Sequence, residues 1–509
     1  MCVAAPPEAR ESSNTVRVSD VSEHTIAPIS PASSGANLTE LKRSIGTVQL
    51  TLFGVGSMLG AGIYGLIGKA AGVMGSALWM GFLLAMIAAL LTGISYASIA
   101  SRYPRAAGAA YVTQRAYGRE WLSYLVGLTV VAAAMTSIAT QSRVVAENFN
   151  VLLGFQSGFT VAGAPAEVIV MAIGFGAMLA AVVYRGINEA LWVNAVCTVI
   201  EASGLLMVVA VGMRYWGSVG LLELPIRSPE GTSGVTALVL LQGSILTFFS
   251  FLGFEDMLNV SEEVKQPERT LPIALISAML LASVVYIAVA ISAVSIVPWA
   301  ELALAPAPLQ RVMERAAPWF PSLGFTVITI TAVANTALVN YVMGSRLLYG
   351  MARQGLLPSV LGRLQPKRQT PFIAVLVMLA LLAALQFAGG ISALAGASVL
   401  LLLAVFMVMN VALVVLKRRD GDMPGRFNAP LFVPIAGALI CAVMIGARVM
   451  EREWRSPILA TSIVVAILAL YFAGRRASSV RQRTDINSDR VETQVSKDSS
   501  IQKFARRSP

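Results

Sequence analysis

The chain has 509 residues, 56% hydrophobic and 13% charged, with a formal net charge of +11. A soluble globular chain carries about 25% charged residues, so much of this surface faces something other than water. The Lys and Arg surplus sits in short loops and tails between long apolar runs, the pattern of cytoplasmic loops, and this sets nucleic acid aside as a partner.

Residues 1–43 are polar and rich in Pro, Ser and Thr, with no apolar core, and read as a disordered cytoplasmic tail; 477–509 read the same way. Cys2 follows the initiator Met with no apolar stretch before it, so a lipoprotein signal is not expected. Cys2, Cys197 and Cys441 show no CxxC spacing and no disulfide framework. The single histidine, His24, lies in the N-terminal tail, which sets aside a histidine metal site, haem ligand or proton relay in the membrane. No cofactor and no metal is expected.

A membrane-spanning helix needs about 20 mainly apolar residues. Twelve candidates follow in order: 47–68, 76–100, 122–145, 166–184, 190–213, 236–258, 273–297, 322–350, 371–388, 393–416, 430–448 and 457–474. The expected fold is an all-α polytopic membrane protein, with spans 1–10 in a core of residues 44–416 and spans 11 and 12 within 417–476. Basic residues follow even-numbered spans: Arg102, Arg105, Arg115 and Arg119; Arg346, Arg353, Arg363, Lys367 and Arg368; Lys417, Arg418, Arg419 and Arg426; Arg475 and Arg476. The positive-inside rule then puts both termini in the cytoplasm. The loop after span 11 mixes Arg448, Arg452 and Arg455 with Glu451 and Glu453 and is the weakest point of this assignment.

Two spans depart from plain apolar composition. Span 1 carries Gly54, Gly56, Gly60, Gly62, Gly65 and Gly68. Glycine leaves helical geometry at little cost, and a break frees backbone groups that in lipid must meet protein, a cavity or a ligand. The amides of Ala61, Gly62 and Ile63 would open a second half-helix, whose positive end suits an amino-acid carboxylate. The carbonyl of Met58 would end the first half and suit an ammonium group. Gly56 and Gly60 equally fit a small-xxx-small packing seam, and spacing alone does not choose. Span 6 carries Phe249-Ser250-Phe251-Leu252-Gly253-Phe254-Glu255-Asp256, with an acidic pair in mid-span. An acid there costs about 2.5–3.5 kcal/mol on insertion scales, so Glu255 reads as a proton carrier or as half of an ion pair. The two interrupted spans lie five apart, the placement expected of an inverted repeat with its binding site between them.

Other polar residues stand out. Asn194, Thr198 and Glu201 share one face of span 5, and Glu201 must face the bundle or a water path. It could bind a proton or a cation, or merely bridge helices. Span 3 has Thr129, Thr136, Thr140 and Arg143 on one face, and span 8 has Thr329, Thr336 and Asn340. Such stripes are more often packing contacts than ligand sites. No Walker A, zinc or GxSxG spacing occurs, so an enzyme or an ATP-driven pump is not expected.

Four ordered motifs carry a resemblance. Gly54-Val55-Gly56-Ser57-Met58-Leu59-Gly60-Ala61-Gly62-Ile63-Tyr64 resembles the first-helix signature of the amino acid–polyamine–organocation superfamily, and of its cationic amino acid transporter branch. Arg102-Tyr103-Pro104-Arg105 through Tyr117-Gly118, Phe249 through Arg269, and Ser345-Arg346-Leu347-Leu348-Tyr349 through Pro358 resemble later segments in the expected order. The resemblance implies a five-plus-five inverted repeat of the LeuT type with two further helices. It implies a carboxylate near Gly60, Ala61 and Gly62, and an amino group at carbonyls near Met58, Phe249 and Leu252, with Gly253 beside them. Phe249 falls at an aromatic gate position and Glu255 at an acid linked to proton coupling. Ser98 stands where members often carry Glu, and Glu201 aligns with a Lys that stands in for sodium. The function implied is secondary active, proton-coupled uptake of a cationic or neutral amino acid in the plasma membrane, a bacterial inner membrane. The partners are an amino acid, a proton and membrane lipids. An amino acid/amine antiporter or a non-transporting receptor would share these features.

Overall fold

The computed structural model describes residues 45–473, apart from 104–107, 155–158, 162–163, 186–189, 224–236, 259, 262–263, 366–367, 369 and 451–453. All of them belong to the unit Lys42–Pro509. Both expected tails, with Cys2 and His24, lie outside the described residues, as do Arg105, Lys367, Arg475 and Arg476.

Apolar runs in lipid have no water to bond their backbone, so each closes its own ladder as a helix. Span 1 is divided into Thr47–Met58, Ala61–Gly65 and Ile67–Met74. Span 2 is Leu78–Arg102, span 3 Glu120–Leu153, span 4 Ala166–Arg185 and span 5 Ala190–Gly212. Span 6 opens as Ala237–Phe248 and then loses α-helical form; span 7 is Pro267–Ile296 and span 8 Ser322–Arg353. Spans 9, 10 and 11 are Phe372–Leu385, Ile391–Asp420 and Phe432–Met450. Span 12 is Arg455–Ala473. Short helices Gly108–Tyr117, Trp299–Leu304 and Pro308–Ala316 sit in connections, and a two-residue antiparallel pair, Thr160–Val161 with Ala164–Pro165, follows span 3.

Among the described residues ten of these helices are long and apolar enough to cross a membrane. The sixth and ninth expected spans are the exceptions. Span 6 is broken, as its sequence foretells. Span 9 has 14 residues, and at 1.5 Å per residue it reaches about 21 Å, short of a bilayer core of about 30 Å. Past Leu385 the chain continues in turns to Ala388, short of Gly389 and Gly390, so regular helix stops three residues before the expected end at 388. Gln386 is buried, its Oε1 accepting from Arg143 Nε at 3.0 Å and its carbonyl accepting from Arg143 Nη2.

Span 2 lies along span 7, span 3 along spans 8 and 10, and span 1 along spans 5 and 7. Of the apolar stretch of span 1, 71% is buried, against 22% for span 12, so span 1 is core and span 12 periphery. Asn410 Nδ2 donates to Thr92 Oγ1 at 3.2 Å, tying span 10 to span 2. Ser398 Oγ donates to the Ala133 carbonyl at 2.8 Å, tying span 10 to span 3.

A clasp holds the connection between spans 10 and 11 against the end of span 2. The covered Arg102 side chain donates from Nη2 to Asp422 Oδ1 at 3.1 Å and to Asn428 Oδ1 at 2.9 Å. Lys417 Nζ is 2.6 Å from the same Asp422 oxygen. Ser98 Oγ donates to the Phe427 carbonyl at 3.1 Å and accepts from the Ala429 amide at 3.3 Å. Serine there is thus a structural hinge pin for this loop. Arg426 reaches Glu268 Oε1 of span 7 at 2.7 Å, so the clasp takes in both spans.

The Lys417 ammonium, and then the Arg102 guanidinium, hold the Asp422 carboxyl below its ordinary value. A lowered carboxyl contributes its stability above about pH 4 and loses it only as pH falls through the lowered value. We therefore expect Arg102→Ala to lower the melting temperature of the purified protein by several degrees, equally at pH 5 and pH 8. A deficit that disappears within that window would contradict the clasp.

Candidate functional site

The two interrupted spans meet. The first helix of span 1 ends at Met58, Leu59 turns extended at φ −71° and ψ 91°, and helix resumes at Ala61. Span 6 passes from Phe248 into one 3-10 turn, Phe249–Phe251, then into an extended Leu252 at φ −64° and ψ 138°. Gly253 follows at φ 119°, a conformation that side chains rarely adopt, and a second 3-10 turn covers Phe254–Leu258. A Cβ on Gly62 would collide with the Cα of Ser250, and one on Gly253 with the carbonyl of Ser57. The two breaks therefore touch backbone to backbone, and glycine is what allows it.

Breaking a helix orphans carbonyls, and here hydroxyl groups collect around them. Ser57 Oγ donates to the Gly253 carbonyl at 2.9 Å, with Gly54 O at 3.1 Å as a second acceptor. Tyr286 Oη, on span 7, lies 2.8 Å from the carbonyls of both Met58 and Ser250. Thr336 Oγ1, on span 8, lies 3.3 Å from Leu59 O and 3.4 Å from Gly56 O and Ala332 O. A hydroxyl carries one hydrogen. Of these carbonyls, Gly54 and Ala332 accept within their own helices and Gly253 accepts from the Asp256 amide at 3.1 Å. That leaves Gly56, Met58, Leu59 and Ser250 to the Tyr286 and Thr336 hydroxyls, four acceptors for two hydrogens. Ser250 Oγ is buried beside Gly62 with no hydrogen-bond partner.

Across the break the balance reverses. The first helical bond of the resumed helix runs from Tyr64 N–H to the Gly60 carbonyl at 3.1 Å. The amides of Ala61, Gly62 and Ile63 precede that ladder, as the first N–H groups of a helix do.

The two candidate acids stand in different surroundings. Glu201 is fully buried, and neither carboxylate oxygen has a hydrogen-bond partner. Asn335 and Thr198 are its polar side-chain neighbours, and the Asn335 amide also has both polar atoms unpartnered. The Tyr64 hydroxyl donates to the Glu201 backbone carbonyl at 2.6 Å, which ties span 5 to the resumed helix of span 1. Glu255 instead accepts from the Gly253 amide at 3.0 Å, answering a donor freed by the span 6 break. It lines a small cavity with Tyr96, Gly108, Ala109 and Leu347.

The sequence-derived residues Met58, Gly60, Gly62, Ile63, Phe249, Leu252 and Gly253 all fall at the two breaks, Met58 to Gly253 being within the bundle interior. For Ala61 only the backbone is described. The span 3 stripe does not reach this region by its hydroxyls: Thr129, Thr136 and Thr140 donate to carbonyls of their own helix four residues back. In the span 8 stripe Thr336 does reach it, whereas Asn340 Nδ2 bonds Ser137 at 3.3 Å. Sequence reasoning missed Tyr286, Ser250 and Asn335. Tyr286 carried a signal, since a tyrosine in the middle of an apolar span needs a partner for its hydroxyl.

The family model described as amino acid permease matches residues 45–472. The branched-chain amino acid permease of Bacillus subtilis (strain 168) is 28% identical over 453 residues, covering 83% of this chain and 91% of that protein. The methylthioribose transporter of the same organism is 29% identical over 434 residues, covering 81% and 90%. The chloroplastic cationic amino acid transporter 9 of Arabidopsis thaliana is 30% identical over 338 residues, covering 64% of this chain and 58% of that protein.

The backbone contact between the breaks makes a prediction about glycine. A non-glycine residue held at the φ of Gly253 costs about 1–3 kcal/mol, before its collision with Ser57 is counted. Gly253→Ala should lower the melting temperature and reduce amino acid uptake at least about tenfold. Gly174→Ala in span 4, where a Cβ meets nothing within 4 Å, should leave both unchanged. Equal behaviour of the two variants would remove the break from the site.

Proposed function

The chain belongs to the amino acid permease family, and from that premise we propose that it is a secondary active permease taking up a cationic or neutral amino acid together with a proton. The observation that carries this reading is the donor deficit at the breaks. Two hydroxyls, Tyr286 and Thr336, among the four carbonyls of Gly56, Met58, Leu59 and Ser250 leave room for an incoming group that donates without accepting. An alkylammonium, with three N–H donors and no acceptor, has that character. Its partners are the carbonyls near Met58, Phe249 and Leu252. The amino acid's other end, a carboxylate, goes to the amides of Ala61, Gly62 and Ile63 beside Gly60. Gly253 keeps the backbone close, and Phe249, 4% exposed, covers the ligand.

Coupling goes to Glu201 and Glu255. A buried carboxylate with no donor, counter-ion or proton costs several kcal/mol. The unpartnered oxygens of Glu201 therefore support a proton there in the conformation seen, or a cation when the acid is ionised. Release of that proton would follow opening of the site to water. Transport proceeds by alternating access, and the packing of span 2 on span 7 and span 3 on span 8 supports the five-plus-five repeat that such motion uses. The loop charges support cytoplasmic termini in a plasma membrane, a bacterial inner membrane.

The decisive experiment is uptake into proteoliposomes of a labelled amino acid panel at pH 5 and pH 8, with and without a proton gradient. We expect gradient-driven accumulation of at least one cationic or branched-chain amino acid. Accumulation driven only by preloaded amine would replace symport with exchange, and binding without uptake would make the protein a receptor. Glu201→Gln and Glu201→Lys should both lose concentrative uptake at least about tenfold. If both accumulate substrate normally across pH 5–8, Glu201 has no coupling role.

A further inference from the structure

We infer that Tyr286 is a positioning residue that sets the amino-group end of the site, and that the hydroxyl of Ser250 is a direct substrate contact there. The inference rests on the permease reading above and extends it to residues outside spans 1 and 8. Tyr286 sits in mid-span 7 and is fully buried. Its ring packs on Phe82, with centroids 5.6 Å apart, and edge-on against Phe251 at 5.3 Å, so the ring is fixed by its neighbours. Its hydroxyl is the same 2.8 Å from a carbonyl of each broken span, Met58 of span 1 and Ser250 of span 6. One atom thereby fixes the two carbonyls within two hydrogen-bond lengths of each other.

The stoichiometry of that contact gives it a function beyond packing. A phenol has one hydrogen and the two carbonyls compete for it. While the site is empty the hydrogen is shared between them. When an ammonium group donates to the Met58 carbonyl, the phenol hydrogen passes to the Ser250 carbonyl by rotation about the C–O bond, with no movement of the ring. The break thus accepts a ligand without leaving either carbonyl bare. The adjacent Ser250 hydroxyl is 1% exposed and unpartnered. It lies against Gly62, between the two breaks, and supplies an acceptor to a second N–H of the same ammonium.

The test uses Tyr286→Phe, which keeps the ring and removes the hydroxyl, and Ser250→Ala, in reconstituted full-length protein. We expect Tyr286→Phe to raise KM for the transported amino acid about tenfold, the effect of removing one hydrogen bond from a buried acceptor, with kcat within twofold. Ser250→Ala should raise KM severalfold. Inhibition by the des-amino analogue, a carboxylic acid with the same side chain, should be unchanged in both variants. Equal weakening of amino acid and des-amino analogue would reduce Tyr286 to a packing residue and overturn the proposal. Hydrogen exchange supplies an arm that needs no substrate. Amides at 59–62 and 250–254 should exchange faster together in Tyr286→Phe, and unchanged exchange at either break would overturn the bridge. A wild-type protein that transports no amino acid would sink the underlying reading, and the exchange arm would then decide the bridge by itself.

Discussion

A peptide carbonyl without a hydrogen-bond partner has no refuge inside a membrane, and the architecture of this protein follows from where such carbonyls were created. Spans 1 and 6 each give up helical form near their middle, at Leu59–Gly60 and at Phe249–Gly253. Each freed backbone group costs several kcal/mol if left in hydrocarbon. The breaks are accordingly placed where spans 5, 7 and 8 surround them, and spans 7 and 8 supply Tyr286 and Thr336 as donors. What they supply is fewer hydrogens than there are acceptors. That shortfall is what the proposed ammonium site rests on.

The remainder of the bundle makes this arrangement tolerable. Glycine at 62 and 253 brings backbones into direct apposition, against Ser250 and Ser57, and glycine at 56 and 60 makes room for the side chains of Thr198 and Thr336. A larger residue at any of these would push the donors out of reach of the carbonyls. The chain entering span 1 is also bound to the connection after span 6: Ile45 bridges to Val264, and the Lys265 amide donates to the Ile45 carbonyl at 2.9 Å. With Arg426 on Glu268 and Arg102 on Asp422, spans 1, 2, 6 and 7 are linked to one another at one end by polar contacts.

Residue type made the spans and the place of both breaks legible from the sequence, because long apolar runs mark spans, and clustered glycines and an acid in mid-span mark where a span departs from plain helix, although glycine spacing alone also fitted a packing seam. The partners of the breaks were not legible. Tyr286 finds Met58 from 228 positions away in the chain, and Thr336 finds Gly56 from 280, distances over which periodicity carries no information. The same holds for span 9, whose composition would support a longer helix. The residue just past its end, Gln386, is fastened by Arg143 from 243 positions away. Ser98 shows the converse. Against the family pattern it reads as a missing acid, yet in the fold it fastens Phe427 and Ala429, a role that only a small hydroxyl residue fills in that buried place.

The two acids illustrate how surroundings divide labour between residues of one chemistry. Glu255 answers a backbone amide that the span 6 break exposed, so its charge state and the shape of the break are linked. Protonating or removing it alters the geometry of the site as well as its charge. Glu201 holds no backbone group through its carboxylate, and its tie to span 1 runs through its main-chain carbonyl and Tyr64. Its side chain can therefore change protonation without unfastening the helix that carries it. A coupling group must report charge to the site while leaving the scaffold intact, and of the two acids Glu201 is the one whose bonds leave it free to do so. In the coupling proposed above, Glu255 would be the group that links a proton to the geometry of the span 6 break.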